Sequence, residues 1–197
     1  LKNNGLKVIE NNRHENHGEN SWNLTEWCTD DNFREFFPNV QAIVHAGAIV
    51  PKDSPVEPSI LFLANTTACL NLGLWALSND IPLIYISGGI SYYNPHAINI
   101  HEEAELGWSG LGGCYGLSKL LGEDSLRRLR QRGLKLSIVR ASSIYGAGMS
   151  STKIISKYIK SAVHDAEIRL FPPVEDAVDL IHAYDVSSAV YEILKKK

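Results

Sequence analysis

The chain lacks the features that would tie it to a disulfide framework, a nucleic acid or a membrane. It has three cysteines in 197 residues, with no Cys-x-x-Cys pair, and such usage fits a reducing cytoplasm better than a disulfide scaffold. The net charge of −3, without a basic stripe, argues against a nucleic-acid-binding protein. We find neither a run of the roughly 18 apolar residues that a membrane span needs nor a signal peptide, so we expect no membrane partner.

Candidate metal ligands are also scarce. His14 and His17 have a His-x-x-His spacing within the polar, aperiodic stretch 10–23, but no third ligand accompanies them. Because a structural zinc site needs four ligands, we interpret this stretch as a solvated loop and expect no metal. Cys114 has no evident histidine base and is interpreted as a packing residue.

The chain does contain an alternation of short apolar runs and amphipathic segments. Three nearly continuous β-branched runs predict strands buried on both faces of a parallel sheet, at residues 42–46, 82–87 and 134–140. Between them, residues 58–78 and 115–132 carry apolar side chains at helical spacing. The order strand, helix, strand, helix, strand predicts an α/β doubly wound parallel sheet.

Weaker patterns flank this centre. They predict a strand at 7–9, a helix near 153–164, a short strand at 168–171 and a last helix near 186–196. Because the pattern changes near Ala141, we divide the chain into a main domain, 1–140, and a small, incomplete substrate region, 141–197.

Tyr115 and Lys119 are the most informative residues. On a helix their spacing places a phenol and an ammonium on one face, one turn apart. A fixed positive charge favours phenolate and would make Tyr115 an acid/base near neutral pH, which requires roughly 4 kcal/mol of differential stabilisation. The same spacing recurs at Tyr191 and Lys195 without comparable surroundings, so the flanking sequence must decide.

That flanking sequence resembles a known family. Segments in the expected order are Gly5 to Arg13, Asn23-Leu24, Val44-His45-Ala46-Gly47-Ala48, Asn65 and its neighbours, Tyr115 with Lys119 and Glu123, Ile138 to Gly146, and Asp179 to Val186. Together they resemble an extended short-chain dehydrogenase/reductase of the NAD-dependent epimerase/dehydratase family. The resemblance implies a Rossmann-like domain, a small-molecule substrate and a homodimer paired through the helices at 58–78 and 115–132.

The resemblance also implies roles for individual residues. Lys119 would hold the cofactor ribose and lower the pKa of Tyr115, which would exchange a proton with a substrate hydroxyl. The implied catalytic residues are Tyr115, Lys119, Ser87 and Asn65. The implied cofactor-binding residues are Asn12, Arg13, Asn23, Leu24, His45, Ala46, Gly47, Lys119, Ala141 and Ser142.

Four departures qualify this resemblance. No Gly-rich turn for the pyrophosphate precedes Gly5, so we expect a chain that lacks its first strand. Gly88 stands where a Ser or Thr is usual, and Ser87, one residue earlier, would point to the other face of a regular strand, with Ser91 a second alternative.

The other two departures concern ligands. Val178 replaces an Arg that would hold a substrate diphosphate, which disfavours a nucleotide sugar. Asn12 and Arg13 replace the acidic residue that would bind the ribose of NAD, which favours NADP over NAD. We therefore expect an NAD(P)-dependent oxidoreductase or epimerase acting on a hydroxyl or keto group. The alternative is a non-catalytic NAD(P)-binding protein on the same fold.

Overall fold

Three parallel strands form the sheet on which the candidate site is built. The structure is a computed structural model that describes residues 1–2, 5–11, 22–51, 54–170 and 177–196. Its strands lie in the spatial order β1-β2-β3. They are β1 (Ile43–His45), β2 (Leu83–Gly88) and β3 (Leu136–Ala141).

The register brings the carboxyl ends of these strands to one edge of the sheet. His45 is level with Tyr85, and Gly88 is level with Ala141. Because all three strands run in the same direction, the residues that follow them emerge together, where ligands of open α/β sheets bind.

Helices connect the strands, as the α/β pattern predicts. They are α1 (Asp30–Phe36), α2 (Pro58–Phe62), α3 (Ala68–Ser78), α4 (Gly113–Gln131), α5 (Ile154–Val163) and α6 (Ala183–Lys195). A π-helical turn, Leu63–Thr67, joins α2 to α3, so the predicted helix at 58–78 is confirmed with an irregular centre. A 3₁₀ turn, Gly89–Ser91, follows β2.

The main core lies between α3, α4 and the sheet. Phe33 of α1 stacks on Trp75 of α3, with ring centroids 4.9 Å apart. Gly73 lets α4 approach closely, because a Cβ there would lie 2.6 Å from the Leu126 side chain. This close packing fixes the height of α4 above the sheet, and hence the positions of Tyr115 and Lys119.

The segment Pro58–Ser78 corrects one expectation. It has the length and the mean hydropathy, 1.6, of a segment able to cross a membrane. The expectation that no run would reach this threshold is therefore wrong. Just over half of it, 56%, is buried, and Ala68, Leu72 and Trp75 pack in the core, as in the central helix of a globular domain.

Three other expectations are also wrong, and one helix was missed. Residues 7–9 form no strand, since they pair with no neighbouring backbone in the described chain. The described residues 168–170 are irregular as well; a second parallel sheet instead pairs β4 (Ser143–Tyr145) with β5 (Leu180–His182). The strands β1 and β3 are only half-buried, because they lie at the edges of the three-stranded sheet, and α1 was not anticipated. The division at Ala141 stays a prediction.

Candidate functional site

The lysine of the expected pair is buried at the carboxyl end of β2. Lys119 is 5% exposed, and its Nζ donates a hydrogen bond to the Ile86 carbonyl oxygen at 3.2 Å. The ammonium also lies 4.4 Å from the centroid of the Tyr85 ring, a cation–π distance. Burial lowers the pKa of Lys119, while the nearby Cys69 and Glu123 oppose that shift.

The protein surroundings of Tyr115 do not by themselves lower the pKa of its phenol, and the expected effect of Lys119 stays a prediction. Tyr115 is half-buried in the first turn of α4, and desolvation raises the pKa of its phenol above the ordinary value. Sequence spacing placed both residues on one helix face, but the long lysine side chain reaches toward Ile86 and Tyr85. The phenol is therefore neutral near pH 7.

Asn65 ties the loop after β1 to α4. Its side-chain oxygen accepts a bond from the Ile49 N–H at 2.8 Å, and its amide nitrogen donates to the Ile49 carbonyl at 3.0 Å and to Ser118 Oγ at 3.1 Å. The side chain is 1% exposed. Both the oxygen and the nitrogen of the Asn65 amide are therefore hydrogen-bonded within the protein. In this geometry Asn65 positions the site.

The serine expected to orient a substrate is buried against another serine. Ser87 Oγ lies 3.2 Å from Ser91 Oγ, and both side chains are buried. Gly88 and Gly89 follow; a Cβ at Gly89 would meet no atom within 4 Å. Each hydroxyl has the other as its hydrogen-bond partner. Gly88 and Gly89 contribute no hydroxyl to the open space beside Gly89.

His45 is the last residue of β1 and lies at the carboxyl edge of the sheet, as Ser87 does. Its ring stacks on Tyr85 with centroids 5.7 Å apart, and its buried Nε2 has no hydrogen-bond partner in the described chain. Burial, with a smaller contribution from the charge on Lys119, lowers the pKa of His45 to about 4. His45 is therefore neutral at pH 7.

The other expected cofactor-binding residues are placed as follows. Leu24 contacts the backbone at Gly47, since a Cβ on Gly47 would lie 3.0 Å from Leu24 Cδ1. The Asn23 side chain accepts from the Thr25 N–H at 3.1 Å and forms a local turn. Ala46 is exposed after β1, Ala141 is the last residue of β3, and Ser142 follows it at the same edge. Asn12 and Arg13 lie outside the described residues.

An ion pair in this region was not anticipated. Glu123 is fully buried on α4, one turn after Lys119, and Arg140 of β3 donates to its carboxylate at 2.6 Å. The sequence contains one signal for it: Glu123 lies within the predicted helix and Arg140 within the predicted buried strand, and a buried charge requires a partner of opposite charge. Among the described residues, no three His, Cys, Asp or Glu side chains are grouped to hold a metal ion.

The fold and this site together define a class. A parallel sheet with crossover helices, and a Tyr–Lys pair on the helix above its carboxyl edge, are the features of a Rossmann-like short-chain oxidoreductase scaffold. A sequence profile of the NAD dependent epimerase/dehydratase family matches residues 1–197. The chain belongs to that family.

Solved structures agree on the fold. The UDP-N-acetylglucosamine 4-epimerase from Bacillus cereus has a TM-score of 0.71 at 22% identity, over 85% of this chain and 58% of that one. The dTDP-glucose 4,6-dehydratase from Bacillus anthracis, in complex with NAD, has a TM-score of 0.71 at 18% identity, over 88% and 53%. The WbmG enzyme from Bordetella bronchiseptica, with NAD and UDP, has a TM-score of 0.65 at 16% identity, over 82% and 48%.

These likenesses reach about half of each solved chain. At such identities they show the fold alone, and the chain spans about half the length of the structures it matches. No curated protein matches the sequence. Activity and substrate therefore have to be argued from the residues of the site.

Proposed function

We propose that this chain carries the nicotinamide-binding side of an NAD(P)-dependent oxidoreductase or epimerase. Its substrate is a sugar-like or other small molecule with a reacting hydroxyl or keto group. The observation that carries the proposal is the buried ammonium of Lys119 beneath the carboxyl edge of the sheet, one helical turn from Tyr115. A buried lysine without a paired carboxylate is costly unless it serves a ligand.

The residues present fit the nicotinamide half of such a cofactor. Lys119 has three N–H donors, and its bond to the Ile86 carbonyl uses one, so the others can serve the hydroxyls of a ribose. Small residues at this edge, Ala46 and Gly47 after β1 and Ala141 at the end of β3, let a ligand approach the backbone closely. The neutral His45 avoids adding a second charge beside Lys119.

The chemistry divides between the cofactor and the chain. When bound, NAD(P) supplies the hydride acceptor or donor. Tyr115 Oη supplies the proton to a developing alkoxide, or takes it back in the reverse direction. Because burial raises its pKa, the phenol is protonated at rest and carries the proton that the donating direction needs. Asn65 keeps the β1–α2 loop at a fixed distance from α4.

The substrate class is argued from neighbours and from one departure. Two of the similar structures are a UDP-N-acetylglucosamine epimerase and a dTDP-glucose dehydratase. Sugar nucleotides are therefore the first compounds to test. Val178 offers no charge for a diphosphate at the position where an Arg was expected, which supports a wider search among uncharged sugars.

Replacing Tyr115 by Phe tests the proton-transfer role. In the full-length protein, turnover of UDP- and dTDP-hexoses is followed by NAD(P)H absorbance and by product separation. We expect Tyr115→Phe to lower kcat by at least about 100-fold, because general acid–base groups contribute roughly 10²–10⁴. Tyr191→Phe is the matched control and should keep the rate. A Tyr115→Phe variant near full activity would show that another group moves the proton.

A non-catalytic NAD(P)-binding protein is the second candidate. The Ser87–Ser91 pair and the missing hydroxyl at Gly88 favour it, because no serine is free to orient a substrate. Binding of NADPH and NADH, measured by fluorescence, separates the two. This candidate predicts tight binding, weakened by Lys119→Met, with no turnover of any sugar tested.

Cofactor preference is tested at Arg13. If Asn12 and Arg13 accept a 2′-phosphate, Arg13→Ala weakens NADPH binding much more than NADH binding. Equal losses for both cofactors would contradict the preference for NADP.

We further infer a homodimer and a cytoplasmic location. Leu63, in the π-helical turn, and Leu121, on α4, are exposed apolar residues on the two helical segments proposed to pair. Light scattering after size exclusion measures the mass, and Leu121→Lys should shift a dimer toward monomer.

A further inference from the structure

The guanidinium of Arg140 joins three segments around the candidate site. From β3 it donates to both Glu123 carboxylate oxygens, with Nη2 at 2.6 Å and Nε at 3.0 Å from Oε1 and Nε at 3.2 Å from Oε2. Its Nη1 donates to the Glu102 carbonyl oxygen at 2.8 Å and to Tyr92 Oη at 3.4 Å. The guanidinium carbon also lies 5.2 Å from the centroid of the Tyr92 ring.

One of these segments is a long loop that leads to the catalytic helix. Residues 93–105 leave the sheet after the 3₁₀ turn, and their ends are joined where the Tyr93 N–H donates to the Glu105 carbonyl at 2.9 Å. The Gly107 N–H donates to the Ser91 carbonyl at 3.1 Å just beyond. This closure makes residues 93–105 a compact surface loop, and a depression of about 230 Å³ lies along it.

We propose that Arg140 is a positioning residue that fixes the 93–105 loop against α4, beside Tyr115 and Lys119. The functional part of this proposal rests on the function proposed above, whereas the loop attachment does not. Arg140 suits this task because a planar guanidinium can bind a carboxylate with one side and a carbonyl with another. Lysine has one nitrogen and cannot reach both acceptors in the same geometry.

The same side chain controls the charge next to Lys119. Glu123 is fully buried one helical turn after Lys119, and its charge opposes the lowering of the Lys119 pKa by burial. With Arg140 bound to it, that carboxylate is neutralised locally, and the Lys119 ammonium keeps its bond to Ile86. Without Arg140, the unpaired carboxylate would draw the ammonium away from the ligand side of the sheet edge.

Three variants separate loop attachment from a merely structural ion pair. Arg140→Lys retains a cation for Glu123 but loses the bond to Glu102. Arg140→Gln with Glu123→Gln removes both charges, so no unpaired ion stays buried. Arg128→Lys is the matched control, since Arg128 and Asp124 form an exposed pair at 2.8 Å on the same helix.

The readout is cleavage of the full-length protein by a glutamate-specific protease, with thermal unfolding measured in parallel. Glu102, Glu103 and Glu105 are exposed in the loop, and fragments cut there are identified by mass spectrometry. We expect cleavage at these three sites to rise at least 10-fold in Arg140→Lys and in the double variant. Both should unfold within a few degrees of wild type, and Arg128→Lys should match wild type in both measurements.

Two results would overturn the proposal: wild-type cleavage in Arg140→Lys, or recovery of wild-type cleavage in the double variant. The second would reduce Arg140 to a charge partner of Glu123. NADH binding is measured on the same proteins, and we expect at least a 5-fold weaker Kd for Arg140→Lys. If wild type binds no NADH while loop cleavage still responds, the proposed function fails and the attachment stands. If wild type binds NADH and Arg140→Lys binds it equally well, the positioning role fails.

Discussion

Removing the Asn65 amide should destabilise the fold by an amount that its hydrogen bonds predict. In Asn65→Ala, the Ile49 N–H and C=O lose partners at 2.8 and 3.0 Å and stay buried. An unsatisfied buried polar group costs about 1–3 kcal/mol, so the pair costs about 2–6 kcal/mol. That is a large share of a typical stability of about 5–15 kcal/mol.

Asn71 provides a matched comparison elsewhere in the core. Its side chain accepts from the Cys28 N–H at 2.7 Å and donates to the Cys28 carbonyl at 2.9 Å, so it serves both backbone groups of one residue as Asn65 does. Asn71→Ala should therefore cost a similar amount, less the extra bond that Asn65 makes to Ser118. Asn23→Ala, in an exposed turn, should cost less than about 1 kcal/mol.

Urea unfolding followed by circular dichroism measures all three variants. With a slope of about 2 kcal/mol per molar urea, the Asn65→Ala midpoint should fall by about 1–3 M. A fall as small as that of Asn23→Ala would refute the argument that these bonds hold the β1–α2 loop. Similar losses of unfolding free energy in Asn65→Ala and Asn71→Ala would support it, because the two sites have in common only that one amide binds both backbone groups of one residue.

Three further predictions concern buried groups and close contacts. Gly122→Ala should destabilise by several kcal/mol because a Cβ there would lie 2.2 Å from the Asn65 carbonyl oxygen, whereas Gly89→Ala, with no atom within 4 Å, should be nearly neutral; thermal unfolding compares them. Native protein at pH 8 should react with a thiol reagent at the exposed Cys114 alone, since burial raises the pKa of Cys28 and of Cys69 to about 11, and three fast-reacting thiols would contradict this. Burial lowers the pKa of His45 from 6.5 to about 4, so between these pH values the unfolded state binds more protons than the folded state. The free energy of unfolding should therefore fall by about 3 kcal/mol as the pH drops from 6.5 to 4. Urea titrations at each pH measure this dependence, and His45→Phe should flatten it.

Local patterns predicted the regular part of the fold because burial on a sheet and on a helix leaves a periodic signature. The strands at 43–45, 83–88 and 136–141 fall within a residue or two of the predicted runs. The helix at 58–78 and α4 agree as closely. The strand predicted at 7–9 fails because a strand needs a partner, and local sequence does not report whether one is present.

The sequence predicted which residues lie at the candidate site, but it did not predict which of them contact one another. Parallel strands place His45, Ser87 and Ala141 at one edge, and that follows from order alone. The Ser87–Ser91 pair depends on the 3₁₀ turn after β2, which returns the chain onto the strand end. Likewise, the ion pair of Glu123 with Arg140 joins residues of two elements, and their facing positions appear only after packing.

For Tyr115 and Lys119, the sequence predicted the positions of the residues but not the pKa values of their side chains. Spacing fixed Tyr115 and Lys119 on one helix face, but a pKa depends on which atoms surround each end group. Here the ammonium donates to the Ile86 carbonyl and burial lowers the pKa of Lys119, while desolvation raises the pKa of the Tyr115 phenol, so the tyrosine stays protonated. Activation of Tyr115 as a base then requires further positive charge or a shift of Lys119 on ligand binding. A pH profile in which binding of NAD⁺, whose nicotinamide ring is cationic, leaves the titration of Tyr115 unchanged would exclude that coupling.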